Sequence, residues 1–342
     1  SLLYVEEGTR VSARILQGQA REQSGLELCG LSGSLQLDEQ QMTVSYLSLA
    51  TPHSHLSGDA QLSWTALTEN AGGYMTASLK AAVAKTDVAL FVPAYADYLP
   101  KNGLTADLSL SGNVDTLHVD AQHLLIEPML AARAKGTLYH LLDPARLSAD
   151  LKWEAESFDL SEPHKMLNLP SSVRLPHMKI TGKAKKVGET YIADLRLQQA
   201  GGVAAVKGTF NAATENYQAK IDFRNLNRHN FRPQDSLYNI TAHAEVSGQG
   251  LDFQLPLARC EGTVLIEHLR YGHNDFRNVR LNGKLRNGKG YVDFYSDNDL
   301  LQIQACAEVA LDRKKVELSD FSLDASRLDL HRLGLVPKPL VA

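Results

Sequence analysis

The stretch Val173–Phe223 reads VRLPHMKITGKAKKVGETYIADLRLQQAGGVAAVKGTFNAATENYQAKIDF. Four short runs of alternating apolar and polar residues are separated by Lys186-Val187-Gly188-Glu189, Ala200-Gly201-Gly202 and Ala212-Ala213-Thr214-Glu215. Alternation with period two places one residue set on each face of a sheet, so each run is a strand with one apolar and one wet face. Met178, Ile180, Leu195, Leu197, Ile221 and Phe223 form the apolar set.

Gly182 and Gly208 mark this stretch as one copy of a larger pattern, read as strands separated by glycine. Apolar-Ser/Thr-Gly pieces end at Gly33, Gly112, Gly182 and Gly248, spaced by 79, 70 and 66 residues. A second glycine follows each, at 58, 136, 208 and 262, after 25, 24, 26 and 14 residues. Each copy then runs toward an acidic or amide residue and a proline: Asp87 and Pro93, Asp159 and Pro163, Asn227 and Pro233. In the first two copies the proline predicts a short helix, over Ala94–Leu99 and His164–Leu167. Asp159 or Ser161 could cap the second. The period of roughly 70 residues divides the chain into four repeats, at roughly 11–99, 100–167, 168–233 and 234–335, with a tail at 336–342.

Strands with one polar face suit an antiparallel sheet rather than the doubly buried strands of a parallel one. Leu147 to Ala155 shows the pattern most regularly, with Leu104–Leu110, Tyr238–Val246 and Leu301–Leu311 alike. Almost no amphipathic helix is available to cover the apolar face. A sandwich, a solenoid, or a trough occupied by something else would each keep that face dry. With 18 to 20 strands the sheet would extend roughly 90 Å, and strands of about six residues would span about 20 Å. Alanine recurs on the apolar face (Ala81, Ala149, Ala219, Ala242, Ala305), leaving volume that a self-packed core would fill.

Composition narrows the function classes. Of 342 residues, 35 are basic and 39 acidic, which gives no polyanion-binding excess and no expectation of nucleic acid. Apolar residues make up 44 %, a globular value, and aromatics 7 %, low for a membrane barrel with two aromatic girdles. No apolar run is long enough for a membrane span, and no signal-peptide pattern opens the chain. It begins and stops within the pattern, which reads as a middle fragment of something longer.

No constellation for catalysis emerges, and neither an enzyme nor a cofactor is expected. His53-Ser54-His55 puts two imidazoles on one strand face without the further ligands a metal site needs. Asp297-Asn298-Asp299 lacks the glycine and distal glutamate of a calcium loop. Lys183-Lys185-Lys186 and Arg313-Lys314-Lys315 read as solvated charges at hairpin ends, and Gly188, Gly201 and Gly202 as hairpin turns. Trp64 and Trp153 are placed on the apolar face. Cys29, Cys260 and Cys306 are too few for a disulfide framework; a Cys260–Cys306 bridge would need an oxidising compartment.

The repeated Leu/Val/Ile-Ser/Thr-Gly turns, the Lys/Glu-Gly-Thr-apolar strands and the Asp-rich crossings resemble the AsmA-like superfamily, and within it the translocation and assembly module proteins of Gram-negative bacteria. The resemblance covers roughly residues 25 to 335. The fold it implies is all-β: an elongated, twisted antiparallel sheet curled into a taco-like repeating β-groove, with short helical turns in the crossing loops. It further implies an inner-membrane-anchored protein of the periplasm whose anchor lies outside this chain. The implied partners are phospholipid acyl chains and, through a region absent here, an outer-membrane assembly β-barrel protein. The function to expect is a non-enzymatic lipid conduit between inner and outer membranes that supports outer-membrane biogenesis. The residues expected to line it are Leu108, Leu110, Leu151, Trp153, Ile180, Leu195, Leu197, Ile221, Phe223, Ile240, Ile303 and Val309. Two other readings stay open: a chaperone holding outer-membrane strands at the groove and sheet edge, and a structural surface β-solenoid.

Overall fold

The computed structural model describes residues 2–21, 27–68, 72–91, 103–126, 130–143, 145–157, 172–174, 176–253, 258–312, 315–329 and 331–332. The expected helices at Ala94–Leu99 and His164–Leu167, the prolines and caps before them, Arg313-Lys314 and the 336–342 tail lie outside the described residues.

The described residues form two compact units. The first, residues 1–171 with 176–188, carries β1 (Leu2–Glu7), β2 (Arg10–Arg21), β3 (Glu27–Leu37), β4 (Gln41–Ala50), β5 (His55–Ser63) and β6 (Met75–Val83). It continues with β7 (Leu104–Gly112), β8 (Thr116–Ile126), β9 (Leu130–Tyr139), β10 (Ser148–Ser157) and β11 (Lys179–Val187). The second, residues 172–175 with 189–342, carries β12 (Thr190–Gln199), β13 (Gly202–Asn211), β14 (Asn216–Leu226), β15 (Leu237–Gln249) and β16 (Arg259–Tyr271). Its remaining strands are β17 (Asn274–Arg286), β18 (Lys289–Asn298), β19 (Leu301–Asp312) and β20 (Lys315–Leu328).

Within each unit every strand pairs antiparallel with the next in sequence, an up-and-down meander. Among the described residues no ladder joins the first strand of a unit to its last, so neither is a closed barrel. The expectation of an all-β antiparallel sheet holds. The strands of the opening stretch fall where alternation places them, at β11 to β14. Most strands are longer than the six residues expected, up to 14 in β20. The one described α-helix, α1 (Lys85–Phe91), follows β6 and is tied down by its buried Asp87, which accepts from Thr51 Oγ1 at 2.5 Å.

Three sequence expectations are corrected. The repeat glycines do not separate strands: Gly33, Gly58, Gly136, Gly182, Gly208, Gly248 and Gly262 lie inside strands and Gly112 ends β7. The hairpin turns lie elsewhere, for instance at Ala200-Gly201, with φ of 44° and 83°. Gly202 is not a turn residue but opens β13, against the Asn225 carbonyl. Trp64 is not on a strand face; it opens a short 3-10 turn, Trp64–Leu67, where its indole N–H donates to the Asp38 carbonyl at 2.8 Å. A polar ring edge finds its partner there more readily than on an apolar sheet.

Candidate functional site

The cross-strand register extends the alternation of single strands into continuous faces. In the first unit directly paired residues run Tyr4, Ala13, Leu35, Val44, Ala60, Ala77, Leu110, Val119, Gly136, Leu151, Ala184, one from each of its strands. In the second the corresponding row is Leu195, Val206, Ile221, Ala244, Val264, Leu281, Phe294, Ala305, Leu323. Directly opposed residues point to the same side of a sheet, so each row is an unbroken apolar line across its unit.

Every residue expected at the lining falls on these apolar faces. Leu108 and Leu110 lie on β7, Leu151 and Trp153 on β10, and Ile180 on β11, with Leu108 opposite Leu79 and Ile180 opposite Ala155. In the second unit Leu195 and Leu197 lie on β12, Ile221 and Phe223 on β14, Ile240 on β15, and Ile303 and Val309 on β19. All twelve are half-buried, neither sealed in a core nor fully in water. Ile240 pairs with Leu226 beyond a bulge at Asn225. Such bulges bend strands while keeping the apolar set on its side.

What covers these faces is little. Among the described residues half of the buried apolar ones are alanines, with Val114, Leu117, Met178, Phe276, Val279 and Leu300 as the larger ones. The largest fully buried side chains among the described residues are those of Ser157 and Ser296. A sheet packed against a second layer would seal aliphatic side chains completely. The repeat glycines shape the face instead. The Trp153 ring lies across Gly182 and Tyr217 lies across Gly248, filling the space a side chain would take. Among the described residues the buried Tyr217 hydroxyl has no hydrogen-bond partner, and burial beside Cys260 pushes its pKa up.

Gly262 and Gly283 behave differently. They face each other across β16 and β17, and the nearest atom to a Cβ built on Gly283 would be the Tyr291 carbonyl at 3.9 Å. Over this pair opens a trough of about 380 Å³, lined by Ile221, Ala244, Val246, Val264, Leu285 and Val309, with Phe253 from the β15–β16 connection. That volume lies within the range of small-molecule sites. Ile221 and Val309 were legible from alternation and Gly262 as a repeat glycine; Gly283 and Phe253 were not singled out. Gly283 carried a signal, since glycine at an apolar-face position of a regular strand leaves a floor with no side chain.

The opposite faces are charged. In the first unit Glu154 pairs with Lys179 and Arg133 on neighbouring strands, and those hydrogen bonds, Lys179 first, hold its carboxyl down at about 2. In the second unit Asp194 pairs with Lys207 at 3.2 Å and Lys220 with Glu245 at 2.7 Å. His243 bridges Asp222 at 2.5 Å and Glu267 at 3.3 Å; the hydrogen bond to Asp222 raises its pKa above the ordinary histidine value. Exposed pairs of this kind contribute little stability, but they define the wet side of each sheet.

Among the described residues no group of three or more side chains is arranged to hold a metal, and no helix is long and apolar enough to cross a membrane. His53 lies in a turn, not on a strand face with His55, whose ring contacts the Ser48 hydroxyl at 3.3 Å. The cysteines are free. Cys260 is on the apolar face opposite Leu285, and Cys306 on the polar face opposite Asp293, so no bridge joins them. Comparison with known proteins finds no family model that matches the chain, and no curated protein or solved structure similar to it.

Proposed function

We propose that the apolar faces carry lipid: the chain is a non-enzymatic conduit segment that shields phospholipid acyl chains in transit between membranes. The observation that carries this reading is the unbroken apolar row across each unit, half-exposed and without a second layer among the described residues. An acyl chain needs continuity rather than a closed pocket, because each buried methylene contributes about 0.8 kcal/mol wherever along the row it lies. The charged opposite face keeps the other side of the sheet in water. Placement in the periplasm, within an inner-membrane-anchored protein of the AsmA-like type, is part of the same proposal and rests on the residue pattern alone.

The test uses lipid extraction and mass spectrometry on the purified chain and on Gly283→Leu. A side chain there starts into open volume over the Gly262–Gly283 floor, its Cβ no nearer than 3.9 Å to the Tyr291 carbonyl. The parent is expected to retain phospholipid and the variant distinctly less, at unchanged folding. Absence of phospholipid from the parent, or equal retention by both, would contradict the proposal.

A further inference from the structure

On the polar face of the second unit, three cations stand side by side. Arg259 of β16 is directly opposite Arg286 of β17, and Arg286 is directly opposite Lys289 of β18. The Asn287-Gly288 turn, with φ of 55° and 71°, fixes the second pair. Like charges in direct cross-strand register oppose one another. Neighbouring rows relieve repulsion with carboxylates, as Lys284 does with Glu261 at 2.7 Å. This row does not: it continues to Gln249 on one side and to Ala310 and then Glu317 on the other. Among the described residues the side chains of Arg259, Arg286 and Lys289 have no hydrogen bond or ion pair, and all three residues are exposed.

The row borders a groove of about 800 Å³ at the strand ends. The next row inward along this groove is Thr209, Gln218, Ser247, Glu261, Lys284, paired strand to strand. Thr209, Gln218 and Ser247 offer hydroxyl and amide groups with no partner among the described residues. A triple cation beside neutral hydrogen-bonding groups matches a ligand that is anionic at one end and hydroxylated at the other. A phosphate monoester carries −1.5 to −2 charge near neutrality and accepts bidentate guanidinium bonds.

We propose that this groove binds a phosphorylated sugar or polyol, with the phosphate on Arg259, Arg286 and Lys289 and the hydroxyls on Ser247, one strand from Arg259, and Gln218, two strands from it. The site lies on the face opposite the lipid-carrying one and stands or falls independently of it. Binding relieves the cross-strand repulsion, so the empty site is a local cost to the sheet.

The experiment titrates the full chain with glucose 1-phosphate, with glucose as control, by calorimetry at low salt. It adds sedimentation with phosphatidylcholine vesicles carrying phosphatidylinositol phosphate. The comparison protein is Arg259→Gln/Arg286→Gln, with Lys289→Gln as a second, milder variant. Binding of at least one phosphosugar form is expected, with glucose inert and affinity at least about tenfold lower in the double variant. Capture of soluble ligand alone assigns a free phosphosugar; capture of vesicles assigns a headgroup. The unliganded double variant is expected to melt no lower than the parent. The proposal is overturned if neither form binds, if both variants bind as the parent does, or if the double variant melts lower while Lys289→Gln binds normally.

Discussion

Gly182 and Gly283 occupy equivalent positions, strand interiors on an apolar face, yet do opposite things. At Gly182 the missing side chain lets the Trp153 indole lie flat across the neighbouring strand. Gly182→Ala drives a methyl into that ring, and overpacking of this kind costs about 1 to 3 kcal/mol. A lower melting temperature is expected, largely recovered when Trp153→Leu is added; an unchanged melting temperature would refute the covering role. The recurrence of these glycines was visible in the sequence, but their meaning was not. Spacing alone does not distinguish a glycine needed for positive φ from one needed for its bare surface. His243 gives a second prediction. Its folded pKa is raised by Asp222 and Glu267 above the ordinary value of about 6.5. Its contribution to stability is therefore full below about pH 6.5 and is lost as pH rises through the folded value. NMR titration should show the His243 ring protonating at higher pH than a free histidine, and Asp222→Asn should move that midpoint down.

At the scale of the element, β11 to β14 were legible because their alternation is unbroken as far as Phe223. Other strands are longer than local pattern suggested, because pairing with neighbours carries them past the places where alternation slips. Those places are bulges: Tyr46 in β4, Asn225 in β14 and Asn239 in β15 all take positive φ where the register shifts. No period-two reading sees through such a residue, since the apolar set changes parity there. The β17–β18 hairpin turns at Asn287-Gly288, both with positive φ. A β-branched residue at Gly288 must hold a left-handed conformation and would also press on the Leu311 carbonyl at 3.2 Å. Gly288→Val is expected to cost about 1 to 2 kcal/mol. The loss should appear as faster amide exchange in β17 and β18; unaltered exchange there would show that the turn does not hold the hairpin.

For the molecule as a whole, what the sequence carried was the sidedness of each strand, and what it lacked was the way strands add up. Leu151 and Leu110 are far apart in sequence yet belong to one row through Val119 and Gly136; Ile221 and Leu281 belong to another through Ala244 and Val264. The register, fixed by hairpins and bulges, turns separate apolar edges into a surface. The lipid reading depends on that surface being two-sided in chemistry: apolar at Leu151 and Ile221, wet at the adjoining Lys152 and Asp222, which lie one residue away and on the other side. The most direct measurement places a photo-crosslinking amino acid at each of these four positions in cells and identifies what each captures. Lipid adducts at positions 151 and 221, with none at 152 and 222, are predicted. Equal labelling of both faces, or protein adducts in place of lipid at 151 and 221, would contradict the account.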